Sequence, residues 1–272
     1  MPVAQVQTNS APFDAIARRY DEIFTGSSIG QAQRSSVWTE LRKAFRVGDR
    51  VLDLGCGTGV DACFLAECGV KSVALDSSAE MISVALHRVQ AAGKQNWVQP
   101  QVLAVEQIAT LRDCGPFDGA FSNFGALNCV ADLRSVAKNL GGLLRPGATA
   151  LLCFLGPMCL WEVGWYLARA NPRKAFRRWQ REGAKARLGD GPAVQVRYPS
   201  VRSLCRAFSP EFRLQRCKGV GVVVPPSYVE NWVARFPFGL ELARRADVLL
   251  GRCPGVRALA DHVLLEFVRQ PV

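Results

Sequence analysis

The stretch that decides the fold is residues 51–61, which reads Val51-Leu52-Asp53-Leu54-Gly55-Cys56-Gly57-Thr58-Gly59-Val60-Asp61. Its first half is typical of a buried strand, and its second half, with three closely spaced glycines, is typical of a tight turn before a helix. Gly55, Gly57 and Gly59 permit backbone angles and a close approach that a Cβ atom would block. A ligand can therefore lie against the main chain and the helix N-terminus that follows, and the stretch predicts a nucleotide-like cofactor.

The spacing of the glycines does not fit a dinucleotide. A dinucleotide fingerprint requires Gly-x-Gly-x-x-Gly, whereas here the third glycine comes one residue early and Val60 stands in its place. Asp53 lies at the mouth of the turn, where a carboxylate repels a diphosphate but attracts the cationic methionyl end of S-adenosylmethionine. The pattern Asp-x-Gly-x-Gly-x-Gly resembles the first motif of the class I S-adenosylmethionine-dependent methyltransferases. The resemblance implies S-adenosylmethionine as the cofactor, bound by Asp53, Gly55, Cys56, Gly57 and Gly59.

A second cofactor contact is predicted at the end of the second strand. Residues 71–75 are predicted to form this strand, which stops at Asp76, about 20 residues after the glycines. A carboxylate there can accept hydrogen bonds from both ribose hydroxyls of an adenosine, and the family that the chain resembles carries an acidic residue at this place. Ser77 begins a capping box over residues 77–80, and Met81 on the following helix either contacts adenine or fills the core.

The resemblance implies further contacts. The family has an acceptor for the adenine amino group after its third strand, predicted here over residues 98–105, and Glu106 and Gln107 are the candidates. Asn123 and Phe124 follow the fourth strand, whose tip faces the same crevice as the glycines in a doubly wound sheet.

An N-terminal helical cap closes over the cofactor in this family. Residues 13–21 and 31–45 have the apolar spacing of helices, while residues 1–12 are predicted to be a disordered lead. Tyr20 and Arg34 are the candidate cap residues at the cofactor, and surface roles remain open for both.

The fold class is predicted to be α/β. Five strands alternate with four helices over residues 46–156, which favours a parallel sheet with right-handed crossovers. Residues 212–224 and 261–269 add two late strands. The resemblance implies a doubly wound, Rossmann-like sheet of seven strands in the order 3-2-1-4-5-7-6, with the last strand antiparallel. The domain prediction is a helical cap over residues 1–45 and a methyltransferase domain over 46–272, with a helical lid inserted at about 157–199.

The predicted lid combines an apolar and a basic segment. Residues 158–168 form the apolar helix, and Asn171-Pro172 starts a second helix that carries Arg173, Lys174, Arg177, Arg178, Arg181, Lys185 and Arg187 around Phe176 and Trp179. Such a basic segment suits a solvated lid, an anionic membrane or RNA.

The composition of the chain limits the kinds of partner, metal site and compartment that can be expected. The net charge of +11 favours an anionic partner of some kind, namely nucleic acid, a membrane surface or an acidic metabolite. The ten cysteines include no Cys-x-x-Cys pair, and only His87 and His262 could join them, so no metal site is expected. The N-terminus lacks the features of a secretory signal, and no apolar stretch reaches the roughly 18 residues of a membrane span, so the reducing cytoplasm is predicted.

The first functional hypothesis is methyl transfer to a small-molecule acceptor, apolar or amphiphilic. Candidate substrate contacts are Asn128, Cys129, Trp161, Trp165 and Tyr228, and candidate groups to orient a nucleophile or take a proton are Glu162, Tyr166, Tyr198 and His262. Each also has a packing interpretation, and His262 lies in an otherwise apolar strand.

Two alternatives remain. One is an RNA methyltransferase that uses the basic lid to hold phosphates. Methyltransferases of base amines carry an Asn/Asp-Pro-Pro-aromatic signature at the fourth strand tip, and residues 122–125 lack its prolines; nucleic acid is therefore the less favoured partner. The other is a cofactor-binding protein without catalysis, which the intact glycines, Asp53 and Asp76 argue against.

Overall fold

The computed structural model describes residues 11–187, 189–233 and 235–271, so most of the predicted disordered lead lies outside the described residues. The strands are β1 (Arg50–Leu54), β2 (Lys71–Asp76), β3 (Val98–Val102), β4 (Phe117–Ser122), β5 (Leu144–Leu155), β6 (Ala184–Ala186), β7 (Val194–Val196), β8 (Phe212–Val220) and β9 (His262–Arg269). The α-helices are α1 (Ser28–Ala44), α2 (Val60–Glu67), α3 (Ala79–Ala91), α4 (Leu133–Leu143), α5 (Leu160–Leu167), α6 (Pro172–Ala175), α7 (Val201–Phe208), α8 (Glu230–Val233) and α9 (Pro237–Leu250).

The main sheet has seven strands in the order β3-β2-β1-β4-β5-β9-β8. Strand β9 pairs antiparallel with both β5 and β8, whereas the other pairs are parallel. Because β6 and β7 pair only with each other, this is the predicted order with the last strand antiparallel, and the prediction is confirmed.

The register of the central strands positions the site. Leu54 lies opposite Leu75 on β2, and Asp53 lies opposite Phe121 on β4. Parallel neighbours in this register end at the same edge of the sheet, so the glycine turn, Asp76 and Asn123 come together there. This is the crevice at the carboxyl ends of the strands where doubly wound folds bind ligands.

Helix α1 packs its apolar face on the sheet. Val37 and Leu41, one turn apart, are fully buried with Phe45, Val51 and Phe121. The helix begins at Ser28, three residues before the predicted start, because the Ser27 hydroxyl accepts a hydrogen bond from the Gly30 N–H at 3.0 Å. A cap of this kind stabilises a helix by about 1 kcal/mol.

The first predicted helix, residues 13–21, is only partly correct. The segment instead forms a 3₁₀ helix (Asp14–Arg19) followed by a π-helical turn (Asp21–Thr25). The capping hydroxyl of α3 is that of Ser78, which accepts from the Met81 N–H, and not that of Ser77.

The basic helix predicted within the lid is wrong. Helix α6 ends at Ala175, a 3₁₀ turn follows (Arg177–Trp179), and β6 and β7 then form an antiparallel pair. The helical segment ends at Trp179. Gly183, just before β6, has a φ of +79°, and a Cβ atom there would lie 2.1 Å from the Val196 carbonyl oxygen. The insertion is therefore only partly helical, because a tertiary contact with β7 outweighs the local helical pattern.

Candidate active site

The glycine turn adopts backbone angles that favour glycine. Gly55, Gly57 and Gly59 have φ values of +77°, +54° and +75°. A Cβ atom on Gly55 would lie 2.3 Å from the Ala126 Cβ, whereas one on Gly57 would meet no atom within 4 Å. Gly57 lines a cavity, so the space beside its backbone is open to a ligand.

This cavity has a volume of about 280 Å³, just below the range of roughly 300–1,000 Å³ that is typical of ligand pockets. The glycine turn, the tips of β2 and β4, the cap and β7 all contribute to its wall. Its lining residues are Pro12, Phe13, Tyr20, Gly55, Gly57, Asp76, Ser77, Met81, Val105, Glu106, Asn123, Phe124, Gly125, Ala126, Cys129, Val130 and Val194.

Asp76 is fixed at the cavity by two backbone donors. Its Oδ2 accepts from the Gly57 N–H and its Oδ1 from the Ser78 N–H, both at 2.9 Å. Burial raises the pKa of this carboxyl above its ordinary value, against the opposing effect of these hydrogen bonds. Since each carboxylate oxygen accepts two hydrogen bonds, both retain capacity for a donor in the cavity, such as a ribose hydroxyl.

Two buried acceptors beneath the cavity lack donors within the described residues. They are Oδ2 of Asp53 and Oδ1 of Asn123. Burial, and then the carboxylates of Asp61 and Asp76, raise the pKa of Asp53 well above its ordinary value. An unpartnered buried acceptor costs about 1–3 kcal/mol, and a cationic donor would relieve both defects. The positively charged methionyl end of S-adenosylmethionine has this chemistry, so the residues fit the cofactor.

Asp61 organises the wall of the site, and sequence reasoning missed this role. Its Oδ1 accepts from Arg34 Nη1 at 2.5 Å and from Trp38 Nε1 at 2.7 Å, while its Oδ2 accepts from Asn123 Nδ2 at 2.9 Å. Asp61 lies in the first turn of α2, where an acidic residue is already explained by the helix dipole, so no sequence signal pointed to its partners.

Arg34 does not line the cavity. Its guanidinium is buried in the pair with Asp61 and lies 4.8 Å from the centre of the Phe124 ring. Arg34 was predicted to contact the cofactor. It instead supports Asp61 and Phe124 from behind the cavity wall.

The cap is fastened over the glycine turn by two aspartates. Asp21 accepts from the Thr58 hydroxyl at 2.8 Å and pairs with Arg88, and Asp14 accepts from the Ser78 hydroxyl at 2.5 Å. Between them, Tyr20 lines the cavity, and burial raises the pKa of its phenol to about 12. The cap therefore contributes a neutral hydroxyl to a covered site.

The predicted contacts divide into those that line the cavity and those that do not. Besides the glycines and Asp76, the structure places Tyr20, Ser77, Met81, Glu106, Asn123, Phe124 and Cys129 in its wall. Met81 is also nearly fully buried, so both of its interpretations stay open. Asp53, Cys56, Gly59 and Gln107 are not in the wall: Asp53 is buried on β1, Gly59 caps α2, and Gln107 is exposed.

Two further predicted residues have structural contacts instead. Glu162 is fully buried and accepts from the guanidinium groups of Arg177 and Arg178. Asn128 is also fully buried and bonds to the backbone of Leu155 and Arg197 through both ends of its amide.

The predicted aromatic contacts lie on the lid side, outside the cavity wall. Tyr228 packs against Tyr166 at 5.7 Å and Trp165 at 6.2 Å between ring centres. Trp161 donates its Nε1 hydrogen to the Val223 carbonyl at 3.0 Å. Tyr198 lies under the Arg178 guanidinium.

His262 lies one side chain away from the cavity. Its ring contacts the edge of Phe124, 5.5 Å between centres, and Phe124 lines the cavity with a φ of +50°. A non-glycine residue in this region is strained, a feature that concentrates at functional sites. Burial lowers the pKa of His262 below its ordinary value, so the imidazole is neutral at pH 7.

Comparisons with known proteins agree with this geometry. Residues 52–150 match a family described as "Methyltransferase domain". The chain is 33% identical over 146 residues to the tRNA 5-carboxymethoxyuridine methyltransferase of Escherichia coli K12, a match that covers 52% of this chain and only 55% of that relative. It is 34% identical over 170 residues to the demethylmenaquinone methyltransferase of Mycobacterium marinum, covering 60% of this chain and 68% of the relative.

A solved structure shows the fold over almost the whole length. The CcbJ methyltransferase of Streptomyces caelestis superposes with a TM-score of 0.62, at 17% identity, over 96% of this chain and 99% of its own. At this identity the similarity concerns the fold alone.

Proposed function

Because the chain belongs to the class I S-adenosylmethionine-dependent methyltransferases, we propose that it transfers a methyl group from S-adenosylmethionine to a small-molecule acceptor with an apolar or amphiphilic body. The observation that carries the acceptor class is the cavity itself. It is small, the cap roofs it through Phe13 and Tyr20, and the lid contributes Val194. Because the cofactor would fill most of this space, the opening left beneath the cap suits a small acceptor better than a folded polymer.

Bound S-adenosylmethionine supplies a methyl group on a positively charged sulfur, an electrophile that needs no further activation. Asp53 and Asn123 would offer their unpartnered oxygens to its charged end, Asp76 would accept from the ribose, and Glu106, which lines the cavity, would accept from the adenine. Phe13 and Tyr20 cover the site and exclude water. These residues bind and align, and alignment with desolvation supplies much of the rate of a direct displacement.

The groups in the acceptor part of the wall are weak bases or remain protonated. Burial raises the pKa of Cys129 to about 11 and that of Tyr20 to about 12, so both are neutral at pH 7. Within the described residues, none of the four groups predicted to orient a nucleophile or take a proton lines the cavity, and we retain His262 only as a positioning residue, since it contacts Phe124 of the wall. The proposed acceptor therefore carries a nucleophile that is already reactive at neutral pH, such as an enolate, an acidic phenol or an aromatic amine.

The RNA alternative is kept because one relative acts, by its name, on tRNA and because the chain has a net charge of +11. A cofactor-binding protein without catalysis is the third candidate.

We also propose the reducing cytoplasm as the compartment, which the ten free thiols support. We further propose peripheral contact of the protein with an anionic membrane. Among the described residues, no helix combines the length and apolarity required to cross a bilayer.

One assay separates the three candidates. Purified protein and methyl-labelled S-adenosylmethionine are incubated with cell extract, which is then divided into organic, aqueous small-molecule and RNA fractions. Above the label that the extract incorporates without added protein, we expect label in the organic or aqueous small-molecule fraction, and much less with Asp76→Ala protein. Label confined to RNA would support the tRNA-type activity instead. Calorimetric binding of S-adenosylmethionine without label in any fraction would support the non-catalytic candidate.

A further inference from the structure

The outer side of α9 carries a stripe of exposed apolar side chains. Phe238, Leu242 and Leu249 are 84%, 62% and 73% exposed, and their spacing places them on one side of the helix. Trp232 and Phe236, just before the helix, are each more than half exposed, with ring centres 5.6 Å apart, but they line a groove with Leu240 and Ala243 and so do not belong to this stripe. We call Phe238, Leu242 and Leu249 the α8–α9 face. A concentration of this kind differs from the scattered apolar residues of an ordinary surface.

The orientation of α9 is fixed from its inner side. Leu240 and Ala243 pack against the buried cluster of Ile29, Val229 and Val233. Asp247 is buried and accepts from the N–H groups of Gly221 and Val223, at 2.9 and 2.7 Å. Rotating the helix to bury its outer stripe would break these contacts, so the stripe faces outward in the folded chain.

The charges around the face are predominantly basic. Residues 227–257 contain five arginines and three acidic residues. All three acidic residues accept hydrogen bonds. Glu230 accepts from the first N–H groups of α1, and Asp247 accepts from the N–H groups of Gly221 and Val223. Glu241 pairs with Arg244 and Arg245. Arg245, whose side chain is 74% exposed, lies within the apolar stripe itself.

We propose that the α8–α9 face rests on an anionic lipid surface. The apolar side chains of the face enter the boundary of the acyl layer, and Arg235, Arg245 and Arg252 meet the phosphates. An apolar protein partner would have to desolvate Arg245 in the middle of the stripe, whereas lipid phosphates pair with it while Leu242 and Leu249 insert. The apolar stripe, together with the excess of two arginines over acidic residues in residues 227–257, therefore favours a lipid surface over a protein.

This surface differs from the basic lid that the sequence suggested for membrane contact. Arg177 and Arg178 of the lid face inward to Glu162, so two of its seven basic side chains are unavailable. Contact through α8–α9 also leaves the cofactor residues free, since none of them belongs to the face.

The test is sedimentation of the full chain with vesicles. With phosphatidylcholine–phosphatidylglycerol vesicles at low salt we expect binding at least about tenfold tighter than with phosphatidylcholine alone, and release as salt rises. Equal binding to both vesicle types, or no binding to either, would overturn the proposal.

Matched variants locate the contact. Phe238→Ser, Leu242→Ser and Leu249→Ser together should reduce vesicle binding at least about tenfold. The control is Val47→Ser, Leu86→Ser and Val102→Ser together, three apolar residues at least half exposed elsewhere on the surface, which should bind as the unchanged protein does. Arg235→Gln, Arg245→Gln and Arg252→Gln should remove the preference for anionic vesicles.

Three further results would also contradict the proposal. One is equal loss of binding in the serine variant and its control, and another is retained binding in the serine variant. The third is a dimer in analytical ultracentrifugation that the serine substitutions dissociate, because the face would then be an interface between two copies of the chain. Calorimetric affinity for S-adenosylhomocysteine serves as the check on folding and is expected to be the same in all variants.

Discussion

At the scale of single residues, the site is built from acceptors that lack donors. Asp53 and Asn123 each hold a buried oxygen without a partner in the described chain, and Asp53, Asp61 and Asp76 place three carboxylates near one another. Such a cluster destabilises the folded protein and at the same time creates the negative potential that a cationic cofactor needs. Stability and binding therefore oppose each other at Asp53.

Asp53→Asn should stabilise the protein without cofactor at neutral and higher pH and weaken cofactor binding by about 1–3 kcal/mol. Because the pKa of Asp53 is raised on folding, the folded state holds this proton more tightly than the unfolded chain. Its contribution to stability is thus complete at low pH and is lost as pH rises through the folded pKa, a loss that the amide escapes. Thermal unfolding and calorimetry measure the two effects, and a fall in stability would contradict this reasoning.

The same group predicts a pH dependence of binding. The affinity for S-adenosylmethionine should increase with pH as Asp53 loses its proton, since the ionised carboxylate attracts the cation. In Asp53→Asn protein this rise should be absent. Calorimetric titrations across a pH series test the difference, and parallel curves for the two proteins would assign the pH dependence to another group.

Asp76→Ala should weaken S-adenosylmethionine binding by about 1–3 kcal/mol, because the ribose hydroxyls lose their acceptor. The Gly57 and Ser78 N–H groups would lose their partner as well. Asp76→Asn is the companion variant, since it keeps one acceptor oxygen and should lose less. Unchanged affinity in folded Asp76→Ala protein would remove Asp76 from the cofactor site.

At the scale of elements, the cap and the lid are held by different kinds of ion pair. The cap is fastened by half-exposed contacts of Asp21 with Thr58 and Arg88. The lid is fastened by Arg178, which is almost fully buried and bonds to Glu162, to the Asp261 carboxylate and to two carbonyl oxygens. Half-exposed pairs are weak and suit a segment that opens for ligand exchange, whereas a buried network anchors its segment firmly.

For the cap, Asp21→Ala should change the free energy of unfolding by no more than about 1 kcal/mol and accelerate cofactor release, because the cap opens more often. Glu22→Ala is the control, since Glu22 pairs with Arg19 of the same exposed segment. Stopped-flow displacement of the cofactor measures the release rate. Equal rates in the two variants would show that the contact with Thr58 does not govern opening.

For the lid, Arg178→Met should destabilise the protein by about 3–5 kcal/mol, since Asp261 loses its buried partner and Glu162 keeps only Arg177. Arg181→Met removes a neighbouring basic residue that is exposed, and it should alter stability by no more than about 0.5 kcal/mol. Denaturant unfolding compares the two, and similar losses would contradict an anchoring role for Arg178.

At the scale of the whole molecule, the site assembles chain segments that are far apart in sequence. The cavity wall draws on the cap, the turn after β1, the tips of β2 and β4, and β7 of the lid. Each of these segments packs on the one seven-stranded sheet, so its position follows from the strand order. The α8–α9 face lies outside this assembly, which lets membrane contact and cofactor binding vary independently.

The sequence alone determined the glycine turn and the alternation of strands and helices, and its resemblance to the family predicted the strand order and most residues of the cavity wall. These features depend on local patterns: glycines that need positive φ, a carboxylate at a strand tip and apolar strands alternating with helices. Topology then carries such residues to one edge of the sheet. This is why Asp76, Glu106, Asn123 and Phe124 could be predicted from motif and position alone.

Only the tertiary structure decided what the charged and polar side chains bond to. Glu162, Asn128 and Arg34 are buried with partners 15 to 69 residues away along the chain, and a residue's type does not reveal a partner at such a distance. The close approach of Gly183 to Val196 beside the β6–β7 pair likewise depends on tertiary contact, and the exposure of the α9 stripe depends on Asp247 holding the inner side. Local propensity is worth tenths of a kcal/mol per residue, whereas burying a charge without a partner costs several, so packing overrides the local pattern.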